Sequence, residues 1–296
     1  MRASPEADAL GCQRSVHAVL YLTTFEPERA AREVSFPTGD CARRFSHAPR
    51  VNPPLVRYGS VVFDCDSTLS AIEGIDELAG SSRAAIVELT DAAMRGDVRL
   101  EEVYGRRLAL IQPTRASVEA LGRRYIDGLV PDATAVVAAL REAGVVVRIM
   151  SGGLLPAVRA LAARLGVAPR DVAAVEIHFD AHGAYAGYDQ ASPLARAGGK
   201  RELLAQWRNE LPTPIMLVGD GATDLEAKPA ADLFVAFAGI IDRPAVTAHA
   251  DVVVGVRSLA PIFALALAGH PPASPYARAL FNRGRELLQA SAPPLH

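Results

Sequence analysis

Apolar segments rich in β-branched residues alternate with segments of helical periodicity from residue 58 onward. The first kind has the length of buried strands, and the second carries apolar residues at three- and four-residue spacing. The predicted strands are residues 61–63, 145–150, 172–179, 215–218, 233–237 and 251–254, and the predicted helices include 133–143, 154–165 and 200–210. This alternation predicts an α/β fold with a doubly wound parallel sheet.

A long insertion separates the first predicted strand from the second. Residues 72–130 carry helical periodicity around Ile86, Leu108 and Leu121, which predicts a small helical cap domain. The glycine-containing segment 179–189 predicts a β-hairpin that projects from the sheet. The expected organisation is an N-terminal extension (1–57), a core (58–72 and 131–269), a cap (73–130) and a C-terminal tail (270–296) with a surface helix over 277–288.

Composition narrows the classes of partner. The chain has 296 residues, 50% of them hydrophobic, and a formal net charge of −2, so no global field favours nucleic acid or an anionic membrane. Cys12, Cys41 and Cys65 form neither a disulfide framework nor a paired metal motif, which favours a reducing, cytoplasmic setting. The apolar stretches are shorter than a membrane helix requires. Neither a membrane segment nor a secretory signal is expected, and the oligomeric state is left open.

Two aspartates stand one residue apart at the end of the first predicted strand. Because side chains alternate along a strand, Asp64 and Asp66 face the same way and Cys65 faces the other. Neighbouring carboxylates repel each other unless a cation joins them. Mg²⁺ takes carboxylate oxygens and keeps positions for water and phosphate. The pair also suits an ordinary turn, so its interpretation depends on the other strand ends.

Three further segments carry polar groups near predicted strand ends, where ligands bind in open α/β sheets. Ser151, followed by two glycines, either caps a helix or presents a hydroxyl and backbone N–H groups to phosphate. Lys200 opposes a helix dipole by about 0.3–1 kcal/mol, which indicates either an anionic partner or a solvated surface lysine. Asp220 and Asp224 follow the strand at 215–218 and otherwise suit a structural turn. Taken together, the segments indicate one site for a metal, a nucleophile and phosphate.

These motifs resemble, in order, those of the haloacid dehalogenase superfamily over residues 58–269. They are Asp64-Cys65-Asp66-Ser67-Thr68, Ser151-Gly152-Gly153, Gly198-Gly199-Lys200 and Gly219-Asp220-Gly221-Ala222-Thr223-Asp224. The segments 73–79, 93–94 and 107–112 are similar to the phosphoserine phosphatase family within it. The resemblance implies a Rossmann-like core with a helical cap. It also implies Mg²⁺-dependent hydrolysis of O-phospho-L-serine, the last step of serine biosynthesis.

The resemblance implies a role for each motif residue. Asp64 would attack phosphorus and form an aspartyl-phosphate, and Asp66 would protonate the leaving oxygen and then activate water. Mg²⁺ would be held by the carboxylates of Asp64 and Asp220 and the backbone carbonyl of Asp66, with support from Asp224. The phosphoryl oxygens would bind Ser151, Gly152 and Lys200, and the rest of the substrate would lie near Gly153, Thr223, Glu73, Met94 and Arg107.

The substrate assignment leaves alternatives. Glu73 and Arg107 offer charges complementary to the ammonium and carboxylate of phosphoserine, but the same pair suits a salt bridge between cap helices. Arg95 stands where the family commonly has glycine, and Leu100 where it commonly has phenylalanine. These departures favour, as an alternative, a phosphatase or phosphotransferase for another small phosphomonoester. A catalytically silent binding module is a third possibility, which the complete set of motif residues disfavours.

Overall fold

A parallel six-stranded sheet forms the centre of the protein. The computed structural model describes residues 56–94 and 100–290. The strand order is β3-β2-β1-β6-β7-β8, with every neighbouring pair parallel. The strands are β1 Ser60–Phe63, β2 Val146–Leu154, β3 Val172–Val175, β6 Ile215–Gly219, β7 Leu233–Phe237 and β8 Val252–Val254. The predicted doubly wound α/β fold is confirmed.

Helices cover both faces of this sheet. In β1, Val61 and Phe63 belong to one buried apolar cluster and Val62 to another, because successive side chains point to opposite faces. After Ser60, the strand therefore carries three successive buried apolar residues rather than alternating apolar and polar ones. The helices are α1 Gly74–Leu78, α2 Arg83–Met94, α3 Leu100–Ile111, α4 Arg115–Asp127, α5 Ala133–Glu142, α6 Leu155–Arg164, α7 Gly199–Trp207, α8 Ala222–Ala227, α9 Pro244–Thr247, α10 Ala260–Ala266 and α11 Pro275–Ala290.

Helices α1 to α4 lie between β1 and β2, where the sequence predicts a helical insertion. The side chain of Thr114 caps α4 by accepting a hydrogen bond from the backbone N–H of Ser117 at 3.2 Å. Gly122 of α4 lies so near α6 that an added Cβ would be 2.9 Å from the Cβ of Ala160. The last helix of the insertion therefore packs directly on a helix that covers the sheet.

Two predicted elements differ from the structure. The predicted strand at 172–179 is two strands: β3 belongs to the large sheet, and β4 (Ile177–Phe179) pairs antiparallel with β5 (Tyr185–Tyr188). The hairpin predicted at 179–189 is thus present, with its first strand beginning at Ile177. The predicted surface helix at 277–288 is α11, which packs on α10: Phe281 is 1% exposed and stacks edge-to-face on Phe263 at 6.4 Å between ring centroids.

Several predictions fall outside the described residues. They concern most of the N-terminal extension, with Cys12 and Cys41, and the side chains of Met94, Arg95 and Leu100. The backbone places Met94 at the end of α2 and Leu100 at the start of α3. No helix within residues 56–94 and 100–290 combines the length and apolar character needed to cross a bilayer.

Candidate active site

The site lies where the chain changes direction across the sheet. From β1 the chain adds β2 and β3 on one side and later β6, β7 and β8 on the other. Neighbouring strands that lead away in opposite directions leave a crevice at their carboxyl ends. Asp64 directly follows β1 and Asp220 directly follows β6, and the backbone N–H of Asp64 donates to the carbonyl of Val218 at 2.9 Å. The fold therefore brings these two carboxylates to one place.

Lys200 joins two of the aspartates. Its Nζ lies 2.8 Å from Oδ2 of Asp64 and 2.7 Å from Oδ1 of Asp224. Lys200 is 6% exposed and Asp224 is fully buried. Burial alone would lower the pKa of Lys200, but the two carboxylates outweigh burial and hold this pKa above its usual value. Of the two interpretations of Lys200 from sequence, the structure favours the lysine with an anionic partner over the solvated one.

A close backbone approach holds Asp224. A Cβ added to Gly219 would lie 2.2 Å from Cγ of Asp224, so only glycine leaves room for this carboxylate. Its Oδ2 accepts a hydrogen bond from the N–H of Gly221 at 3.1 Å, and its Oδ1 receives Lys200. Both oxygens of Asp224 are thus engaged by protein donors.

One carboxylate oxygen of Asp220 accepts no hydrogen bond from the residues that the structure describes. Thr68 donates to its Oδ1 at 3.3 Å, while its buried Oδ2 lacks a hydrogen-bond partner among the described residues. Arg243 Nη2 is 3.3 Å from that oxygen, within ion-pair range but without hydrogen-bond geometry. Burial, followed by the charge of nearby Glu73, raises the pKa of Asp220 to about 8.

The acidic groups suit a divalent cation. Asp64, Asp220 and Asp224 each offer an oxygen, and these three atoms lie within 4.8 Å of one another. Burial and the charge of Asp224 raise the pKa of Asp64 well above its usual value, since carboxylates this close cannot all be ionised without a cation. Asp64 and Asp220 can serve as ligands of a hard cation. Asp224 is less available, because Lys200 and Gly221 already occupy its oxygens.

Asp66 is oriented by three donors. Its Oδ1 accepts the backbone N–H of Gly74 at 2.6 Å and the hydroxyl of Tyr125 at 2.7 Å. Its Oδ2 lies 3.4 Å from Oγ of Ser151. Burial, and then the charge of Glu73, raises the pKa of Asp66 to about 6, although the Tyr125 and Gly74 hydrogen bonds act in the opposite direction. A carboxyl group with this pKa can exchange a proton near neutral pH.

Ser151 lies in a strand and does not cap a helix. Strand β2 continues through Ser151, Gly152 and Gly153, and α6 begins only at Leu155. The helix-cap interpretation is therefore wrong. Instead, Oγ of Ser151 accepts the backbone N–H of Gly153 at 2.9 Å, and the hydroxyl of Tyr104 in α3 donates to the carbonyl of Gly152 at 3.0 Å.

A cavity of about 520 Å³ lies between α1, α3 and the strand ends. Nine of the predicted site residues line it, and the described structure thereby brings them together: Asp64, Asp66, Glu73, Arg107, Gly152, Gly153, Lys200, Asp220 and Thr223. Ser151 does not line the cavity, but its Oγ accepts the N–H of Gly153, which does. Asp224 lies beneath, bound to Lys200.

Glu73 and Arg107 do not pair with each other, and each contacts other side chains. Glu73 Oε1 accepts hydrogen bonds from Ser67 Oγ and Arg243 Nη2, each at 2.8 Å. Arg107 pairs with Asp76 of α1. The salt bridge between Glu73 and Arg107, one of the alternatives from sequence, does not form in the described structure. The buried Nε of Arg107 and Nη1 of Arg243 have no hydrogen-bond partner among the described residues.

Sequence reasoning missed four residues at the cavity. Asp76, Tyr104 and Arg243 line it, and Tyr125 bonds to Asp66. The two tyrosines lie on amphipathic helices, where an aromatic residue most often signals the apolar face. Asp76 belongs to the segment 73–79 that carries the family resemblance, so its charge and position were the available signal. Arg243 stands in a loop after β7, and no motif marks it.

Comparison with known proteins defines the class first. The profile of the haloacid dehalogenase-like hydrolases matches residues 58–232. The chain belongs to this family.

Individual proteins similar to this chain indicate a narrower class within the family. The chain is 39% identical over 194 residues to the phosphoserine phosphatase of Rattus norvegicus, an alignment that covers 64% of this chain and 86% of the rat protein. It resembles a substrate-bound phosphoserine phosphatase structure with a TM-score of 0.57 at 26% identity, covering 70% of this chain and 97% of that one. A phospho-aspartyl intermediate analogue of phosphoserine phosphatase matches with a TM-score of 0.55 at 26% identity, covering 70% and 98%.

Proposed function

We propose that this protein hydrolyses O-phospho-L-serine to L-serine and phosphate through an aspartyl-phosphate on Asp64. The carrying observation is the buried arrangement of Asp64, Lys200 and Asp224 at the base of a cavity whose walls hold both acidic and basic side chains. The similarity to phosphoserine phosphatases, one of them a phospho-aspartyl analogue, supports the same reaction.

The reaction is divided between the two aspartates of the first motif. A carboxylate oxygen of Asp64 forms a bond to phosphorus while the bond from phosphorus to the serine oxygen breaks, and Asp66 gives its proton to that oxygen. Water then attacks phosphorus as Asp66 takes a proton from it, and the bond to Asp64 breaks. The pKa of Asp66, raised to about 6, suits a group that must donate first and accept second.

Lys200 supplies fixed positive charge in this scheme. The ammonium group is buried and already bound to Asp64 Oδ2 at 2.8 Å, so it needs little reorganisation as phosphoryl charge comes to lie on the nucleophile. Preorganised donors of this kind contribute several kcal/mol in enzyme sites, about 2.7–4 kcal/mol for one donor. Ser151 and the backbone N–H of Gly152 are proposed to bind the phosphoryl oxygens beside it.

The cation is proposed to be Mg²⁺, held by the carboxylates of Asp64 and Asp220 and the backbone carbonyl of Asp66. The buried Oδ2 of Asp220, which accepts no hydrogen bond from the described residues, fits this assignment, as does the all-oxygen donor set. When bound, Mg²⁺ would neutralise charge between the nucleophile and the phosphate. Asp224 is proposed to support the site by positioning Lys200.

Complementary charges support an amino-acid phosphate as substrate. The ammonium of phosphoserine would lie near Glu73, and its carboxylate near Arg107, whose buried Nε–H has no hydrogen-bond partner among the described residues. Arg243 keeps a similar donor, Nη1, and faces the same cavity. Planar guanidinium groups match carboxylate geometry well. Thr223 and Gly153 complete the proposed contacts, and Met94 is proposed to wall the cavity.

One observation favours a second candidate. Arg107 is bound to Asp76, which reduces its capacity for a substrate carboxylate. A small phosphomonoester without a carboxylate would not need to compete for this arginine. The alternative is therefore the same chemistry, as a phosphatase or phosphotransferase, on another small substrate.

The setting belongs to the proposal as well. The described free cysteine, Cys65, is fully buried, which is compatible with a small apolar role in a reducing compartment. We therefore propose a cytoplasmic enzyme of serine biosynthesis that acts on a small molecule.

The test measures phosphate release from O-phospho-L-serine, O-phospho-L-threonine and a sugar phosphate, with Mg²⁺ and with chelator. We expect a metal-dependent preference for phosphoserine that Asp64→Asn abolishes. Asp127→Asn is the matched control, because Asp127 is exposed at the end of α4. Activity spread evenly over the three substrates would overturn the substrate assignment, and full activity of Asp64→Asn would overturn the nucleophile.

A further inference from the structure

The ring of Tyr104 connects the insertion to the hairpin. Tyr104 lies in α3, and its ring contacts that of Tyr188 in β5 with 5.3 Å between centroids and 59° between planes. The neighbouring residue, Gly105, leaves room for this contact, because an added Cβ would lie 2.7 Å from the Tyr188 hydroxyl oxygen. The hairpin thus holds the side of α3 that carries Tyr104.

The hydroxyl of Tyr104 reaches the phosphate-binding motif. It donates to the carbonyl of Gly152 at 3.0 Å. The peptide group that contains this carbonyl also contains the N–H of Gly153, because the peptide unit is planar. That N–H donates to Oγ of Ser151 at 2.9 Å. The two ends of one peptide group are therefore fixed, one by the insertion and the other by Ser151.

The hydrogen bonds continue from Ser151 to Asp66. Oγ of Ser151 lies 3.4 Å from Oδ2 of Asp66 and donates to it, while its lone pair receives the Gly153 N–H. An uninterrupted chain of polar contacts therefore runs from α3 through one peptide group to the carboxyl group of the proposed acid. Linked hydrogen bonds polarise one another.

The peptide group is loosely packed on its Gly152 side and closely approached on its Gly153 side, where an added Cβ would lie 3.1 Å from both Ser151 Oγ and the Tyr125 hydroxyl oxygen. A Cβ added to Gly152 would have one neighbour within 4 Å, the carbonyl oxygen of Leu194 at 3.5 Å. Glycines on both sides of the peptide bond give it wide rotational freedom. On the Gly152 side, the Tyr104 hydroxyl is therefore the main restraint on the carbonyl among the contacts of the described residues.

We infer that Tyr104 is a positioning residue that couples the seating of α3 over the site to the alignment of Ser151 and Asp66. This inference rests on the proposed phosphatase function. When α3 lies over the site, the Tyr104 hydroxyl fixes the Gly152 carbonyl, and the N–H of the same peptide group then points to Oγ of Ser151. Because Oγ accepts this N–H, the hydroxyl proton of Ser151 is directed to Asp66. With α3 displaced, the peptide group loses one of its two fixed ends, and Asp66 loses the part of its alignment that Ser151 supplies at Oδ2, while Gly74 and Tyr125 still hold Oδ1. Ser151 therefore orients Asp66, the proposed proton donor, while α3 covers the site.

The competing explanation is that Tyr104 only packs against Tyr188. Tyr104→Phe separates the two, because it removes the hydroxyl and keeps the ring. Tyr185→Phe is the matched control: it removes a hydroxyl from the same hairpin strand as Tyr188, and no hydrogen bond from the described residues depends on it. Tyr188→Leu removes the ring contact and keeps the Tyr104 hydroxyl.

The experiment measures kcat and KM for O-phospho-L-serine in the full-length wild type and in the three variants. One neutral hydrogen bond contributes about 0.5–1.5 kcal/mol, which corresponds to about 2- to 12-fold in rate. We expect kcat of Tyr104→Phe to fall by about that factor with KM within about twofold, and Tyr185→Phe to match the wild type. Tyr188→Leu, which loosens the seat of α3, should lower kcat less than Tyr104→Phe. An unchanged kcat in Tyr104→Phe, or an equal fall in Tyr185→Phe, would overturn the inference.

A second measurement is independent of turnover. Amide hydrogen exchange at Gly153, measured by NMR, should be faster in Tyr104→Phe than in the wild type or Tyr185→Phe, by about 2- to 12-fold if the same hydrogen bond is lost. Equal exchange would contradict the inference even if the wild type proved inactive on phosphoserine. An inactive wild type with faster exchange at Gly153 would instead reject the proposed substrate and keep the role of Tyr104 in ordering this peptide group.

Discussion

Removal of the Tyr125 hydroxyl tests how the pKa of Asp66 is set. This hydroxyl donates to Oδ1 of Asp66 at 2.7 Å, and the ring is completely buried. The bond favours the ionised carboxylate and lowers the pKa of Asp66, against burial and Glu73, which together raise it to about 6. Because hydrogen bonds to charged groups contribute about 1.5–3 kcal/mol and 1.36 kcal/mol equals one pKa unit, Tyr125→Phe should raise this pKa by about 1 to 2.

The higher pKa has opposite effects on the two halves of the reaction. More Asp66 carries a proton at neutral pH, so transfer of the phosphoryl group to Asp64 is not limited by the acid. Less Asp66 is ionised, so hydrolysis of the aspartyl-phosphate slows, because that step needs a base. We therefore expect the phosphoenzyme to accumulate at neutral pH in Tyr125→Phe, and the deficit in turnover to shrink as the pH rises.

Two measurements check this prediction. Carbon-13 NMR of aspartate carboxyl groups in the metal-free protein gives the pKa of Asp66, and acid quench with labelled phosphoserine gives the amount of phosphoenzyme. Tyr276→Phe is the control, because Tyr276 is 67% exposed. A pKa that stays the same or falls in Tyr125→Phe, with the fold intact by near-ultraviolet circular dichroism, would refute the reasoning.

Two further predictions concern the base of the site. Gly219→Ala places a Cβ 2.2 Å from Cγ of Asp224. The variant should displace Asp224 and, with it, Lys200, and should therefore lower kcat by about 100-fold or more. Gly255→Ala, whose Cβ would meet nothing within 4 Å, is the control and should keep full activity. Asp220 has a pKa of about 8 without metal, so Mg²⁺ binding at pH 7 should release a proton and tighten as the pH rises to 8. Calorimetry in buffers of different ionisation enthalpy measures that proton, and metal affinity independent of pH would contradict this assignment.

The strand pattern predicted the site because the ends of parallel strands meet at one edge of the sheet. Asp64 and Asp220 are far apart in sequence, yet they follow strands that pair in parallel, with Phe63 opposite Val218. A parallel sheet has all its carboxyl strand ends at one edge, so predicting such a sheet was enough to expect the acidic residues near one another. Residue type indicated metal and phosphate chemistry, and the family resemblance implied the role of each residue.

The sequence pattern failed where tertiary contacts decide. The apolar run before Ser151 suggests a strand that ends at Met150, but β2 continues with a register shift and pairs Leu154 with Val175. Only the neighbouring strand reveals that extension. Similarly, Glu176 and His178 alternate with apolar residues in the segment 172–179, as they would in one half-buried strand, so the sequence does not mark the change of sheet at Glu176.

The missed polar residues share a different cause. Tyr104 and Tyr125 occupy apolar faces of helices, and only a hydroxyl that finds Gly152 or Asp66 distinguishes them from core residues. Arg243 is separated by 170 positions from Glu73, its partner. A contact between such distant segments depends on how the insertion sits over the sheet, which periodicity does not specify.

Acidic side chains outnumber the cations that pair with them at the strand ends, and this excess affects both metal binding and proton transfer. Five carboxyl groups meet at the strand ends: Asp64, Asp66, Glu73, Asp220 and Asp224. Among the described residues, two cations form ion pairs with four of these acids, Lys200 with Asp64 and Asp224, and Arg243 with Glu73 and Asp220. Buried charges left unpaired are costly, so without further cations some of these acids hold protons, as the raised pKa values of Asp64, Asp66 and Asp220 indicate. A divalent cation relieves the repulsion between Asp64 and Asp220 but does not require Asp66 to ionise. The same cluster therefore offers oxygen ligands for a metal and, in the metal-free protein, a carboxyl group whose pKa is raised to about 6, and aspartyl-phosphate chemistry uses both.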